Sequence, residues 1–220
     1  MKTPLFQAFL ALSVAGYCTA AQALSVQVVD PAGRPVADVV VVVSPSDGRA
    51  VKTESANRAH AQMDQRNREF VPQVLVIEAG TWVDFPNSDS VSHQVYSFSP
   101  AKPFQLPLYK GSAHPPVLFD RAGVVTLGCN IHDNMLGYIY VADSPWFGKT
   151  DIDGRWASGA LPIGRYDLRI WSPRIRDTAD SLHRLIDVGD RLDLKETFKL
   201  DRKVKAPAAQ PANGKPWDDY

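Results

Sequence analysis

Gly128-Cys129-Asn130-Ile131-His132-Asp133-Asn134-Met135-Leu136-Gly137-Tyr138 is the stretch on which the reading of this chain turns. It spaces a cysteine, a histidine and a methionine as Cys-x2-His-x2-Met. The apolar runs Val124–Leu127 and Tyr138–Val141 on either side read as strands, so the three side chains share one tight loop between two strands. A second histidine, His93, stands at the start of an earlier strand-like run, Gln94–Phe98.

A soft thiolate, two imidazoles and a thioether suit one copper ion, with His93, Cys129 and His132 trigonal and Met135 as a weak axial ligand. Other metals fit less well. Structural zinc takes four Cys/His ligands, and catalytic zinc takes His or carboxylate rather than Met. Haem attachment needs Cys-x-x-Cys-His, which the sequence lacks. Iron–sulfur clusters and a copper pair bridged by two thiolates both need further cysteines.

The N-terminus bears on that cysteine count. Lys2, the apolar run Leu5–Ala15 and Ala21-Gln22-Ala23 have the order of a secretory signal, with cleavage expected after Ala23. The apolar run is too short to span a membrane. Cleavage removes Cys18, one of two cysteines, and leaves Cys129 alone. A lone thiol in an oxidising compartment reads as an inert buried cysteine, as half of an intermolecular disulfide, or as a thiolate held by a metal. The neighbours of Cys129 favour the last.

Working outward, the 220 residues suffice for one large β domain or two small ones. Lys+Arg and Asp+Glu both number 24, and removal of Lys2 leaves 23 bases against 24 acids. That balance gives no basic footprint for nucleic acid. A hydrophobic content of 45% excludes wholesale disorder.

The chain after the signal reads as all β. Ser25–Val29 alternates, and Val39–Val43 is a continuous β-branched run, expected to be a strand buried on both faces. Val74–Ile77, Trp82–Phe85, Val117–Phe119, Tyr166–Trp171 and Leu192–Leu200 are further strands. The polar stretch Glu54–Arg66, free of Pro and Gly, reads as a short helix or an ordered linker. Residues 204–220, rich in Ala and Pro, are expected to be a disordered tail.

These segments resemble the cupredoxins. Phe70-Val71-Pro72, then Val76 through Asn87, then His93, looks like the first half of the family pattern; Phe119 through Cys129 looks like the second. The short Cys-x2-His-x2-Met loop is most similar to the amicyanin variant, and the likeness extends to amicyanin-like proteins labelled methylamine utilization proteins. It implies a Greek-key β-sandwich over residues 65–143. His93, Cys129 and His132 match the family's equatorial ligands and Met135 the axial one. Asn87 matches an Asn that hydrogen-bonds the ligand loop and holds Cys129 in place. His132 matches the histidine through which electrons leave, with Ile131, Met135 and Leu136 as an apolar rim. Asp133 beside it favours a basic partner. Tyr138 and Tyr140 read as strand core rather than redox relays.

The flanks carry a second resemblance. Leu24 through Val36, and Asp151-Ile152-Asp153-Gly154 with Leu161-Pro162-Ile163-Gly164-Arg165-Tyr166, look like the two ends of a carboxypeptidase regulatory-like, transthyretin-like sandwich. Residues 24–50 and 144–201 are therefore expected to form one discontinuous sandwich, with the copper domain inserted. The competing assignment gives residues 24–45 to the cupredoxin's own first strands. Asp151 and Asp153 read as a hairpin turn, because the rest of a calcium loop is missing. His60, His114 and His183 read as solvated.

No Gly-x-Ser-x-Gly or His-Glu-x-x-His occurs, so no enzyme is expected. The expectation is an exported, periplasmic, mononuclear blue-copper carrier of single electrons between redox proteins, without a membrane anchor. The alternatives are a copper-handling protein and a non-redox β-sandwich binding module.

Overall fold

The computed structural model describes residues 22–49, 51, 59–111, 114–132, 134–189 and 193–206. Most of the expected signal, Asp133 and most of the expected tail lie outside these residues. In chain order the strands are β1 (Gln22–Val29), β2 (Val40–Pro45), β3 (His60–Gln62), β4 (Asp64–Arg66), β5 (Glu69–Val71) and β6 (Val74–Glu78). Next come β7 (Thr81–Asp84), β8 (His93–Ser97), β9 (Phe104–Tyr109), β10 (Val117–Phe119), β11 (Gly123–Gly128) and β12 (Leu136–Ala142). The last are β13 (Trp146–Lys149), β14 (Arg155–Leu161), β15 (Gly164–Trp171), β16 (His183–Val188) and β17 (Asp193–Lys199). The protein is all β, and no α-helix occurs among the described residues.

The first and last strands meet in one sandwich. One sheet has the order β14-β1-β17 and the other β13-β2-β15-β16. Leu24, Val26 and Val28 alternate inward from β1 and meet Val41, Val43, Leu168, Ile170 and Phe198. Each such side chain, fully buried, contributes about 1.5–3 kcal/mol. Within this sandwich, residues 24–29 pair with β14 and β17.

The central strands make a second sandwich. A five-stranded sheet, β6-β12-β11-β8-β9, faces a three-stranded one, β10-β7-β3. Phe70, Ile77, Val83, Phe85, Val95, Phe119, Val125, Leu127 and Ile139 fill the space between, together with Cys129 and Met135.

The two sandwiches touch along a seam. Every residue of β2 is buried, as the unbroken β-branched run implies. Val41 and Val43 face its own core, while Val40 and Val42 turn the other way onto Val74 and Ala142. Tyr138 and Tyr140 belong to this seam, against Trp171 at 5.7 and 5.6 Å between ring centroids. They are half-buried packing residues, as expected, but between the sandwiches rather than inside the one that holds Cys129. A polar clasp borders the seam: Ser44 Oγ donates to Asp143 at 2.6 Å, and Arg169 Nη2 donates to both Asp143 oxygens at 2.7 and 2.8 Å.

The polar stretch before Arg66 is not helical where it is described. His60–Gln62 pairs in parallel with β7, and Asp64–Arg66 forms a hairpin with β5. A sheet edge with few apolar residues has no strong period-2 signature, which is why the sequence reads as linker. The Asp151 segment is the expected hairpin turn: Asp151 Oδ1 accepts the Asp153 and Arg155 N–H groups at 2.9 and 2.8 Å.

Candidate metal centre

The β11–β12 hairpin presents the central loop. Gly128 pairs with Leu136 and Leu127 with Gly137, so both ends of residues 129–135 are pinned by the ladder. Within the loop, Met135 N donates to His132 O at 2.9 Å, closing a tight turn. A Cβ would be crowded at both flanking glycines. A Cβ on Gly128 would stand 2.7 Å from the Tyr96 ring, and one on Gly137 would stand 2.7 Å from the Phe70 Cβ. Neighbouring β8 supplies His93 at its first position, paired with Tyr109 of β9 beside a local register shift.

These elements bring three donors together. Cys129 Sγ lies 3.8 Å from His93 Nδ1 and 3.8 Å from His132 Nδ1. All three atoms fall within 4.8 Å of one another. A metal about 2.3 Å from sulfur and about 2.0 Å from nitrogen leaves those two atoms about 3.7 Å apart at a trigonal angle, and about 3.5 Å apart at a tetrahedral one. The two observed sulfur–nitrogen edges are of about this length, and the three ligand atoms span no more than 4.8 Å. His93 is 0% exposed, Cys129 3% and Met135 1%, whereas His132 is half-buried. Cys129 is a free cysteine. Met135 packs in the same buried cluster as Cys129.

Protonation is arranged for ligation. His93 Nε2 is 2.7 Å from Asp89 Oδ2, which holds the ring proton on Nε2 and leaves the Nδ1 lone pair facing the sulfur. Burial, then the neighbouring His93 and Arg68, lower the pKa of His132, against a smaller opposing pull from Asp89. A neutral imidazole, the form a metal needs, is thereby favoured. Burial pushes the Asp89 carboxyl up, but the Arg68 N–H, the His93 ring and the Asn67 N–H outweigh it, and the carboxyl is held below its usual value.

Asn87 is placed differently from expectation. Its Nδ2 donates to Val91 O at 3.0 Å and Tyr109 O at 2.8 Å, and its Oδ1 accepts the Asp89 N–H at 3.0 Å. Among the described residues it braces the loop that leads into His93 and makes no hydrogen bond to the Cys129 loop. Its position in the sequence is compatible with either partner, and only the direction of the side chain decides.

Several residues here carry no signal in the reading above. Asp89 is one, although an acid four residues ahead of a strand-opening histidine is a usable pointer to an outer partner. Gln65 and Tyr109 are others. Gln65 Nε2 donates to the Tyr109 hydroxyl, which donates to Phe85 O. Burial chiefly, with Asp64 and Cys129 adding to it, pushes the Tyr109 phenol up to about 12, so it stays protonated as a donor.

The remaining histidines divide. His60 and His183 are exposed, each 3.2 Å from an aspartate. His114 instead packs edge-on against Tyr109 at 4.6 Å, and its Nε2 is buried without a partner among the described residues. It is not in the three-donor cluster.

No family model and no curated protein matches the chain. Solved structures similar to part of it include a purple cupredoxin from Nitrosopumilus maritimus, 27% identical over 37% of this chain and 98% of that one, with a TM-score of 0.34. A reduced single-site mutant of amicyanin is 16% identical over 47% of this chain and 98% of that one, with a TM-score of 0.35. A Cu-containing nitrite reductase from Thermus scotoductus SA-01 is 22% identical over 52% of this chain, with a TM-score of 0.35; the chain spans 28% of the reductase's length.

Proposed function

We propose that this protein binds one copper ion through His93, Cys129, His132 and Met135 and carries single electrons between redox proteins. The observation that carries the reading is the pair of 3.8 Å edges from Cys129 Sγ to the two imidazole Nδ1 atoms, in a pocket closed on the His93 side and half-open at His132. Bound copper would supply a one-electron couple, accepting an electron as Cu(II) and returning it as Cu(I).

The chain's own residues do the rest. Asp89 fixes the tautomer and plane of His93. The β11–β12 ladder holds Cys129 and Met135 at fixed separation. The buried shell of Phe70, Phe85, Phe119 and Leu127 resists rearrangement of the ligands. The half-buried His132 is the edge through which electrons enter and leave.

The same reading takes residues 65–143 as the copper domain, and residues 24–50 with 144–201 as a carboxypeptidase regulatory-like sandwich around it. The shared core of β1, β2 and β13–β17 supports that division. Export to the periplasm follows from the N-terminal signal pattern. No helix among the described residues is long and apolar enough to cross a membrane.

Protein-film voltammetry of the copper-loaded chain tests the carrier role. A reversible one-electron wave with fast exchange is expected. A bound ion that gives no wave, or that leaves the protein on reduction, would assign the site to copper handling instead.

A further inference from the structure

Gln65 stands on β4 and is 0% exposed. Its Nε2 donates to Pro86 O at 3.2 Å and to the Tyr109 hydroxyl. Its main chain meets the same loop: Gln65 N donates to Pro86 O, and Gln65 O accepts the Ser88 N–H, both at 3.0 Å. Among the described residues, Gln65 Oε1 is buried with no hydrogen-bond partner. An unpaired buried oxygen costs stability, and an apolar side chain of similar size would avoid that cost. Packing alone does not account for a glutamine here.

The glutamine sets the Tyr109 phenol. Because Gln65 Nε2 donates to the phenol oxygen, the hydroxyl proton goes to Phe85 O. One buried phenol thereby ties β9 to β4 and to the residue that follows β7. Tyr109 is the cross-strand partner of His93, at the point where the β8–β9 register shifts. Such a shift disrupts the ladder locally, so side-chain bonds help to decide where the two strands sit. On the other side of β8, the ladder with β11 holds a single pair among the described residues, Tyr96 with Gly128. The main chain of His93 therefore leans on Tyr109. Tyr109 O also accepts Asn87 Nδ2 at 2.8 Å, and Asn87 pairs with Gly111 just beyond β9. Tyr109 and Cys129 belong to one buried cluster.

On the electron-carrier reading, we propose that Gln65 and Tyr109 are positioning residues of the copper site. Through the phenol they fix the end of β9, and through β9 they fix the main chain of His93. The imidazole then keeps one distance to the metal in both oxidation states, and little rearrangement accompanies electron transfer. Asp89 orients the ring of His93; the phenol holds the strand that carries it.

The test uses the copper-loaded full chain and the variants Tyr109→Phe, Gln65→Leu and the two combined. Tyr109→Phe removes only the hydroxyl and keeps the ring that meets His114 at 4.6 Å between centroids. Gln65→Leu removes the donor at similar volume. The readouts are the paramagnetic resonance spectrum, the reduction potential and the rate of electron self-exchange between oxidised and reduced protein. Each single variant should bind one ion, show altered copper hyperfine coupling and exchange electrons several-fold more slowly. Its potential should rise, because weaker nitrogen ligation disfavours Cu(II) more than the softer Cu(I). The double variant should change no further than the larger single, because both act through one hydroxyl. Should Gln65→Leu fail to fold, Tyr109→Phe alone decides by the same readouts. A wild-type spectrum, potential and exchange rate in Tyr109→Phe, with only a lower unfolding midpoint, would overturn the proposal and leave the carrier reading standing. Additive changes in the double variant would overturn it too. A wild-type copper protein without measurable self-exchange would overturn both readings.

Discussion

Asp89 Oδ2 sits 2.7 Å from His93 Nε2 and 2.7 Å from the Arg68 backbone nitrogen, so one carboxylate oxygen joins a buried imidazole to a surface hairpin. The imidazole is 0% exposed and has its other nitrogen 3.8 Å from Cys129 Sγ. Orientation of that ring is thus set from the side away from the sulfur.

Replacing Asp89 with Ala removes the group that orients His93. Copper affinity is expected to fall by roughly 10- to 100-fold. Loss of the nearby negative charge also disfavours Cu(II) relative to Cu(I), so the reduction potential should rise. Competition titration with a copper chelator and voltammetry read these two effects. Asp89→Asn, which keeps a hydrogen-bond acceptor, should restore most of the affinity but not the potential. Wild-type affinity in Asp89→Ala would show that the fold alone orients His93.

Gly137→Ala places a Cβ 2.7 Å from the Phe70 Cβ, inside the packed core. Neither atom is the tip of a flexible chain, so relief needs a backbone shift. A loss of about 1–3 kcal/mol is expected in urea unfolding of the metal-free protein. Gly128→Ala meets the far end of the half-buried Tyr96 side chain at the same 2.7 Å; that ring can turn aside, so the cost should be smaller. Unchanged stability in Gly137→Ala would mean that the hairpin end is looser than the packing implies.

The seam between the sandwiches carries its own pH dependence. Desolvation raises the Asp143 pKa, but the Arg169 and Ser44 hydrogen bonds and the Arg169 charge outweigh it, so the folded value is depressed. A depressed carboxylate contributes stability above its unfolded pKa, and that contribution is lost as pH falls through the folded value. The window is therefore acidic, from about pH 4 downward. The Asp143 side chain is 42% exposed, so water screens the pair and the contribution is about 1 kcal/mol or less. Asp143→Asn should lower the neutral plateau by about 1 kcal/mol or less and flatten the acid limb, so that variant and wild type converge at low pH. An acid limb of wild-type steepness in the variant would place the titrating group elsewhere.

Trp171→Ala removes the ring that packs on Tyr138 and Tyr140. Trp171 is only partly buried, so the expected cost is about 2–3 kcal/mol, below that of a fully buried ring. Because Trp171 stands on the seam and not in either sandwich core, unfolding should change from one transition to two. Calorimetry reads this directly, and a single unshifted transition would show that the seam contributes little.

The clustering of His93, Cys129 and His132 is legible in the sequence because spacing and chemistry coincide there. Cys129 and His132 lie three residues apart in a loop between two strands, a spacing that suits a shared metal. The β2 strand is legible for a similar reason: five consecutive valines, Val39–Val43, suit only a strand buried on both faces. Other elements are not. Phe104–Tyr109 contains Pro107, which argues against a strand, yet β9 is the edge of its sheet, where a missing N–H costs little. His183–Val188 shows only Ile186 and Val188 buried, again at an edge, so its alternation is faint. The hairpin at Asn67 and Arg68 lacks the glycine that marks such turns, and its shape depends on Asp89, which is remote in sequence. Asn87 shows the general limit: residue type and spacing name a hydrogen-bonding group without naming its partner.

Visible absorption and electron paramagnetic resonance of the copper-loaded protein, compared with Cys129→Ser, test the central claim most directly. An intense thiolate-to-copper band with one ion per chain, absent from the serine variant, is the expected result. A colourless complex, or a band that survives in Cys129→Ser, would contradict a copper site built on His93, Cys129 and His132.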